Sequence, residues 1–512
     1  MPERGVVQTG SGQVRGVLNN GVWSFKGVPY AASPEGPRRF GAPEPAESWD
    51  GVRPATAYGP SVPQRPMRGL VADMFPMNPV QGFDALHLNV WTPDPSAKGL
   101  PVLVWIHGGG FRSGSGNDEL YDGSAFAGDG VVTVTINYRL GVEGFLYLGD
   151  RAPDPAVTGA MGIADQVAAL RWVQENISGF GGDPSNVTIA GESAGAMSVA
   201  TLLAVPSADG LFQRAICQSG GADKVNGIAE SSRITTRLLE KLGATGDDLT
   251  PLFDASAEDL LVVQDAMAAE LASGEFVHLY GVPATLATIA FLPTSGTDLI
   301  PEEPLTGLAR RSTTVDLLVG ENADECSIFL AGVPDDIVAS MGRAKLATWL
   351  GEGESARILA HLGEALPDSA ERDRWIWLES ERQFWSPVRR LALTNAARGG
   401  RTYKYRFDWA SDLHDGLGAH HVIELPFVFG TGSTRQAKAI ARNLPENLVH
   451  AVRTAWVDFI HGRVPRLPDG VLWPAYTSES QMRVRLAEER ISTVPDIDEL
   501  GLDEAVTLER IS

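Results

Sequence analysis

A junction near the middle of the chain constrains its fold more than any other feature. Val187 to Ala190 (VTIA) is a short β-branched apolar run, the mark of a buried strand, and it feeds directly into Gly191-Glu192-Ser193-Ala194-Gly195. From Ala194 to about Ala204 the pattern turns helical. A strand that becomes a helix through G-x-S-x-G must turn sharply: the glycines accept the strained backbone and keep side chains away from the serine oxygen. The string alone is a weak signal, and the strand and helix on either side are what make Ser193 a candidate nucleophile.

The rest of the chain repeats the alternation. Val102–Ile106 (VLVWI), Val131–Asn137 (VVTVTIN), Ala215–Ser219 and Leu317–Gly320 read as further buried strands. Between Gly162 and Ile177, Val167, Leu170, Val173 and Ile177 fall on one face of a helix, which GFGGDPSN then breaks. This predicts an α/β fold with a large, mostly parallel sheet flanked by helices. Between about 221 and 312, and again between about 333 and 400, amphipathic stretches rich in Ala, Leu, Glu and Arg predict helical insertions that cap the site. RTYKYRF near residue 405 and MRVRL near residue 484 return to strand character. Residues 61–80 are rich in Pro and Met and fit neither helix nor strand; they read as a surface flap or as lining of a pocket mouth.

Composition narrows the function classes. The 42 Lys+Arg against 64 Asp+Glu give a net charge of -22, which repels polyanions and argues against nucleic acid as a partner. Cys217 and Cys326 lack a C-x-x-C spacing and read as small buried hydrophobes, not a disulfide framework. No run reaches the roughly 18 apolar residues that span a bilayer, and no secretory apolar segment opens the chain, so a cytoplasmic protein is expected. No H-E-x-x-H, His-x-His or paired cysteines occur, so neither a metal nor a cofactor is expected. Nothing in the sequence sets an oligomeric state.

A second motif complements the serine. His107-Gly108-Gly109-Gly110 follows the strand VLVWI, and successive glycines leave backbone N–H groups uncovered, able to converge on one oxyanion. A phosphate-binding loop is the competing reading of GGGFRSGSG, but no Gly-Lys-Ser/Thr follows it.

An ordered series of segments runs over nearly the whole chain: FKGVPYAASPEGPRRF at 25–40, LHLNVWTP at 86–93, WIHGGGF at 105–111 and NYRLGVEGFL at 137–146. It continues through DQVAALRWVQENISGFGGDPSNVTIAGESAGA at 165–196, RAICQSG at 214–220, GENADE at 320–325, HVIELPFVFG at 421–430 and WPAY at 473–476. In these pieces the sequence resembles the type-B carboxylesterase family of α/β-hydrolases, which includes para-nitrobenzyl-type esterases and cholinesterases. The resemblance implies one catalytic domain over residues 1–512, with Ser193 as nucleophile and the amides of Gly109, Gly110 and Ala194 as the oxyanion hole. It implies Glu325 as the acid, with Asp324 beside it as the alternative, and His421 as the base, with His420 as its rival. The order serine, acid, histidine is that of an α/β-hydrolase. Ser219 and Glu192 are expected to support the triad, and Phe111, Ile328 and Phe329 to form pocket walls or ordinary core.

Two departures stand out. Phe83-Asp84-Ala85-Leu86 replaces the E-D-C-L common in the family, so the first disulfide of secreted relatives cannot form, and Cys326 stands where a glycine usually follows the acid. The implied reaction is cofactor-free hydrolysis of a small-molecule carboxylic ester through an acyl-serine intermediate. An amidase, carbamate hydrolase or lipase would use the same triad, and a non-catalytic binding module on this fold would lack a triad member.

Overall fold

The structure, a computed structural model, describes residues 4–497 apart from 68, 247, 274–276, 281–288, 412, 414–415 and 489. His414 and part of the first expected insertion therefore lie outside the described residues. The strands, in chain order, are Val6–Gln8 (β1), Gln13–Arg15 (β2), Val17–Asn19 (β3), Val22–Pro29 (β4), Val52–Pro54 (β5), His87–Thr92 (β6) and Leu100–Ile106 (β7). They continue with Val132–Ile136 (β8), Gly182–Glu192 (β9), Arg214–Gln218 (β10), Asp316–Asn322 (β11), Thr402–Phe407 (β12), Met482–Leu486 (β13) and Ser492–Pro495 (β14). A small sheet has the order β1-β2-β5; the large one runs β14-β13-β12-β11-β10-β9-β7-β8-β6-β4-β3.

From β8 through β7 and β9 to β13 the large sheet is parallel, and its edges, β3/β4/β6/β8 on one side and β13/β14 on the other, are antiparallel. Central strands of a parallel sheet are covered on both faces, which is why β8 (VTVTI) is buried at every position. This is the α/β-hydrolase arrangement. Because β7 lies between β8 and β9, the direction of winding reverses there, and open α/β sheets place their ligand sites beyond the carboxyl ends of the strands at such a reversal, here β7 and β9. Both motifs singled out in the sequence sit at those two ends.

Two buried arginines explain otherwise unremarkable stretches. Arg139 forks onto Asp165 through Nε (2.8 Å) and a terminal nitrogen (2.7 Å), and donates to Gly41 O, tying the helix Met161–Asn176 to the N-terminal segment. Arg39 pairs with Glu143 and donates to the carbonyls of Phe253 and Ala255, anchoring the first helical block. Fork geometry of this kind fixes orientation as well as contributing energy.

The helices between β10 and β11 include Ile228–Lys241, Ala257–Ser273 and Pro304–Arg310; those between β11 and β12 include Asp335–Leu350, Glu352–Ala365 and Glu371–Ser380. Two local expectations change. β9 starts at Gly182, not Val187: Gly182 pairs with Leu100, and an irregularity in the register then absorbs Asp183–Asn186. Residues 61–80 contain a short helix, Leu70–Met74, because Met74 is buried in a cluster that Leu70 and Val71 flank. Cys217 and Cys326 are both free and buried.

Beneath the last strands lies a buried ionic cluster. Lys404 Nζ reaches Glu321 Oε1 (2.8 Å) and Asp496 Oδ1 (2.7 Å), Arg483 reaches Asp496 (3.0 Å), and Tyr476 donates its hydroxyl to Asp496. Burial raises the Glu321 carboxyl above its ordinary pKa, so this group depends on its cations. Lys404→Met should cost about 3–5 kcal/mol of stability by stranding two buried carboxylates with one arginine. Denaturant unfolding checks this, and a loss below about 1 kcal/mol contradicts it.

Candidate active site

Ser193 is at the apex of the turn leaving β9, with φ 55° and ψ -126°. A non-glycine residue rarely adopts a positive φ, and the neighbours hold it there. Ser193 N donates to Gln218 O (2.9 Å) and Met197 N donates back to Ser193 O (2.9 Å). The flanking glycines are sterically required. A Cβ on Gly195 would lie 2.0 Å from Ile106 O, and one on Gly191 would lie 2.4 Å from the Gly195 carbonyl carbon. The helix Ala194–Leu202 begins one residue after the serine.

The glycine turn after β7 comes against this elbow. A Cβ on Gly108 would stand 3.1 Å from Ser193 Cβ, and Gly109, at φ 108°, would bring a Cβ to 2.0 Å from Ser113 O. Ser113 and Arg112 donate to Gly109 O, which fixes the turn. His107 is 1 % exposed, stacks on Tyr138 and directs Nδ1 to Gly108 O (2.8 Å). Burial lowers its pKa to about 4, so it is a neutral structural ring.

His421 and Glu325 arrive from two other carboxyl-end loops, those after β12 and β11. Glu325 Oε2 lies 2.6 Å from His421 Nδ1, and its Oε1 accepts from Asn322 N. The neighbours compared with them in the sequence point elsewhere. Asp324 accepts from Ala419 N and Trp377 Nε1, while His420 places Nδ1 2.6 Å from His421 O and Nε2 3.3 Å from Ile440 O. Asp324 thereby fastens the loop that bears the histidine to the loop that bears Glu325.

Glu192 completes the surroundings of the imidazole. Its Oε1 lies 3.0 Å from His421 Nε2 without hydrogen-bond geometry, and both atoms, like Ser219 Oγ, are buried with no hydrogen-bond partner among the described residues. A buried polar group without a partner calls for an explanation, and a catalytic role is one. Burial disfavours the charged imidazolium, but Glu192 and Glu325 outweigh it and push the His421 pKa well above 6.5. Sequence reasoning passed over Glu424, which accepts from Gln218 (2.9 Å) and Asn322 (2.8 Å) and is pushed up to about 7, first by burial and then by Glu192. Its spacing from His421 was visible in HVIELPF, but not its burial.

Of the three expected pocket walls, Phe329 is 51 % exposed with its ring centroid 5.3 Å from that of His421. Ile328 is buried at 4 %, and Phe111 lies wholly in the core, edge-on to Phe145. No group of three or more His, Cys, Asp or Glu among the described residues could hold a metal ion, and no described helix is long and apolar enough to cross a membrane.

Comparison with known proteins agrees with this architecture. The carboxylesterase family model matches residues 3–497. The para-nitrobenzyl esterase of Bacillus subtilis (strain 168) is 39% identical over 491 residues, covering 94% of this chain and 95% of that protein. Acetylcholinesterase of Bungarus fasciatus is 32% identical, covering 96% of this chain and 84% of that protein. A solved PNB esterase superposes with a TM-score of 0.83 at 34% identity, covering 100% of both chains. A carboxylesterase of Geobacillus stearothermophilus gives 0.81 at 36% identity, covering 98% of this chain and 99% of that one. The chain belongs to the carboxylesterase family and is a serine carboxylesterase.

Proposed function

We propose that Ser193, His421 and Glu325 act as a catalytic triad in one catalytic unit, hydrolysing small to medium carboxylic esters through an acyl-serine intermediate. The observation that carries this reading is the 2.6 Å contact of His421 Nδ1 with Glu325 Oε2, formed beside a serine on a strained turn. His421 Nε2, which has no hydrogen-bond partner among the described residues, takes the proton of Ser193 as its oxygen attacks the ester carbonyl; the hydrogen bond that carries this transfer forms when substrate binds. Glu325 holds the Nδ1–H tautomer and stabilises the imidazolium, and the amides of Gly109, Gly110 and Ala194 receive the oxyanion. The imidazolium then protonates the departing alcohol, and water, activated by the same ring, releases the acid. The para-nitrobenzyl esterase relative supports an ester as substrate.

A serine-directed organophosphate, followed by peptide mass analysis, tests the assignment. The label is expected on the peptide bearing Ser193; a label on another serine, or none, overturns it.

The surroundings of His421 set a pH dependence. Only the neutral ring accepts a proton, so a pKa above 6.5 puts the acid limb of kcat/KM above neutral histidine behaviour. Glu192→Gln removes one carboxylate that favours the cation, so the ring pKa falls and activity persists to lower pH. A pH–rate profile whose acid limb stays in place in the variant contradicts this coupling.

A further inference from the structure

The helix that begins at Glu371 does not keep one pitch. It runs as an α-helix to Ser380, widens into a π-turn over Glu381–Trp385, where Ser386 N bonds Glu381 O, and resumes as an α-helix over Ser386–Ala397. The cause is in the sequence. Pro387 has no N–H to donate, and its ring would press on the carbonyl four residues earlier, a conflict that one extra residue in the turn relieves. Two buried ion pairs brace the turn, Arg382 with Glu379 and Arg389 with Glu381. Single π-turns inside α-helices recur at functional sites.

The turn and the helical residues on either side of it touch the acid loop. Ser380 Oγ accepts from Cys326 N (3.1 Å), Trp385 Nε1 donates to Asn322 O (2.9 Å), and Trp377 Nε1 donates to Asp324. Those three partners span the loop that carries Glu325. Pro387 packs on Gly221, where a Cβ would meet it at 2.6 Å, just past Ser219. Phe384 projects onto the imidazole of His421, with centroids 4.7 Å apart and planes at 41°. It is 3 % exposed, against 51 % for Phe329, so solvent reaches the second ring and hardly the first.

We propose that this π-turn is a positioning device for the acid–base pair, in which Phe384 holds the His421 ring against Glu325 and presents an aromatic face to the imidazolium as it forms. The inference rests on His421 being the base of the proposed triad. An aromatic face within about 6 Å of a cation stabilises it. The charged groups facing that ring are Glu192 from β9 and Glu325 from the loop after β11, with Glu424 three residues further along its own segment; Glu381 and Arg382 of the π-turn pair with Arg389 and Glu379 of the flanking helices. Phe384 thus acts through His421 and is not itself a catalytic residue.

Three variants test it on one soluble ester. Phe384→Leu keeps apolar bulk but loses the ring: kcat should fall about tenfold with KM within about twofold, and the acid limb should move down by about half a pH unit, since the cation loses its aromatic partner. Phe384→Tyr, which keeps the ring, should restore the limb. Pro387→Ala, which returns a donor to the helix and favours ordinary α pitch, should lower kcat in the same sense without touching Phe384. A fall confined to KM, or a wild-type kcat and acid limb in both Phe384→Leu and Pro387→Ala, overturns the proposal. The organophosphate label on Ser193 in the unaltered enzyme separates that outcome from failure of the triad itself.

Discussion

Alanine at Ser193 or at His421 is expected to lower kcat by about 10⁶-fold each, and the double variant is expected to be no worse than either single one. Serine and imidazole act in the same proton transfer, so removing either ends the covalent route, and nothing remains for the second substitution to remove. What survives is the slow reaction of bound ester with water, helped by the oxyanion amides and worth about 10³–10⁴ over the uncatalysed rate. The control is His420→Ala. That ring directs its nitrogens to the carbonyls of His421 and Ile440, away from Ser193, so its loss should slow turnover less than tenfold while loosening the loop. Initial rates on a short soluble ester, with circular dichroism to show retained fold, decide the matter. Additive losses in the double variant, or a mild His421→Ala beside a lethal His420→Ala, would remove His421 from its assigned role.

How far the sequence discloses this site depends on whether a feature is local. The serine elbow was legible because every requirement is met within a few residues: VTIA supplies the strand, Gly191 and Gly195 the clearance from Ile106 and each other, and the run after Ala194 the helix. The parallel sheet was legible for the same reason, since its buried strands are short β-branched runs. β9 begins earlier than Val187 because pairing with Leu100 across the sheet, not the propensity of Asp183-Pro184-Ser185, decides where it starts. The motif match singled out Glu325 over Asp324, but the physical ground for the choice, an Asp324 carboxylate already engaged by Ala419 N and Trp377, lies in contacts across 95 and 53 residues. Glu424 and Phe384 escaped notice for a similar reason. One became notable through burial among other carboxylates, and the other through a π-turn whose contacts lie on distant loops.

Glu325→Gln is expected to lower kcat by about 10⁴-fold with little change in KM, whereas Asp324→Asn should leave kcat within about tenfold and act mainly on stability. The reasoning for the first is tautomeric. An ionised Glu325 accepts the Nδ1 proton and so leaves Nε2 bare to take the serine's proton. A glutamine can present its amide N–H instead, which favours the tautomer protonated on Nε2 and withdraws the base from Ser193. It also removes one of the two negative charges that stabilise imidazolium, so the pH profile of residual activity should shift downward as well. For Asp324 the chemistry differs: its carboxylate accepts from Ala419 N, joining the loops bearing Glu325 and His421, and from Trp377 Nε1 of the helix Glu371–Ser380, and an asparagine keeps one acceptor oxygen for them. Its effect should therefore appear as a lower thermal midpoint, with the acid limb of the pH profile unmoved. If Asp324→Asn instead abolished turnover and Glu325→Gln spared it, the two carboxylates would have to exchange roles despite the 2.6 Å contact between Glu325 and His421.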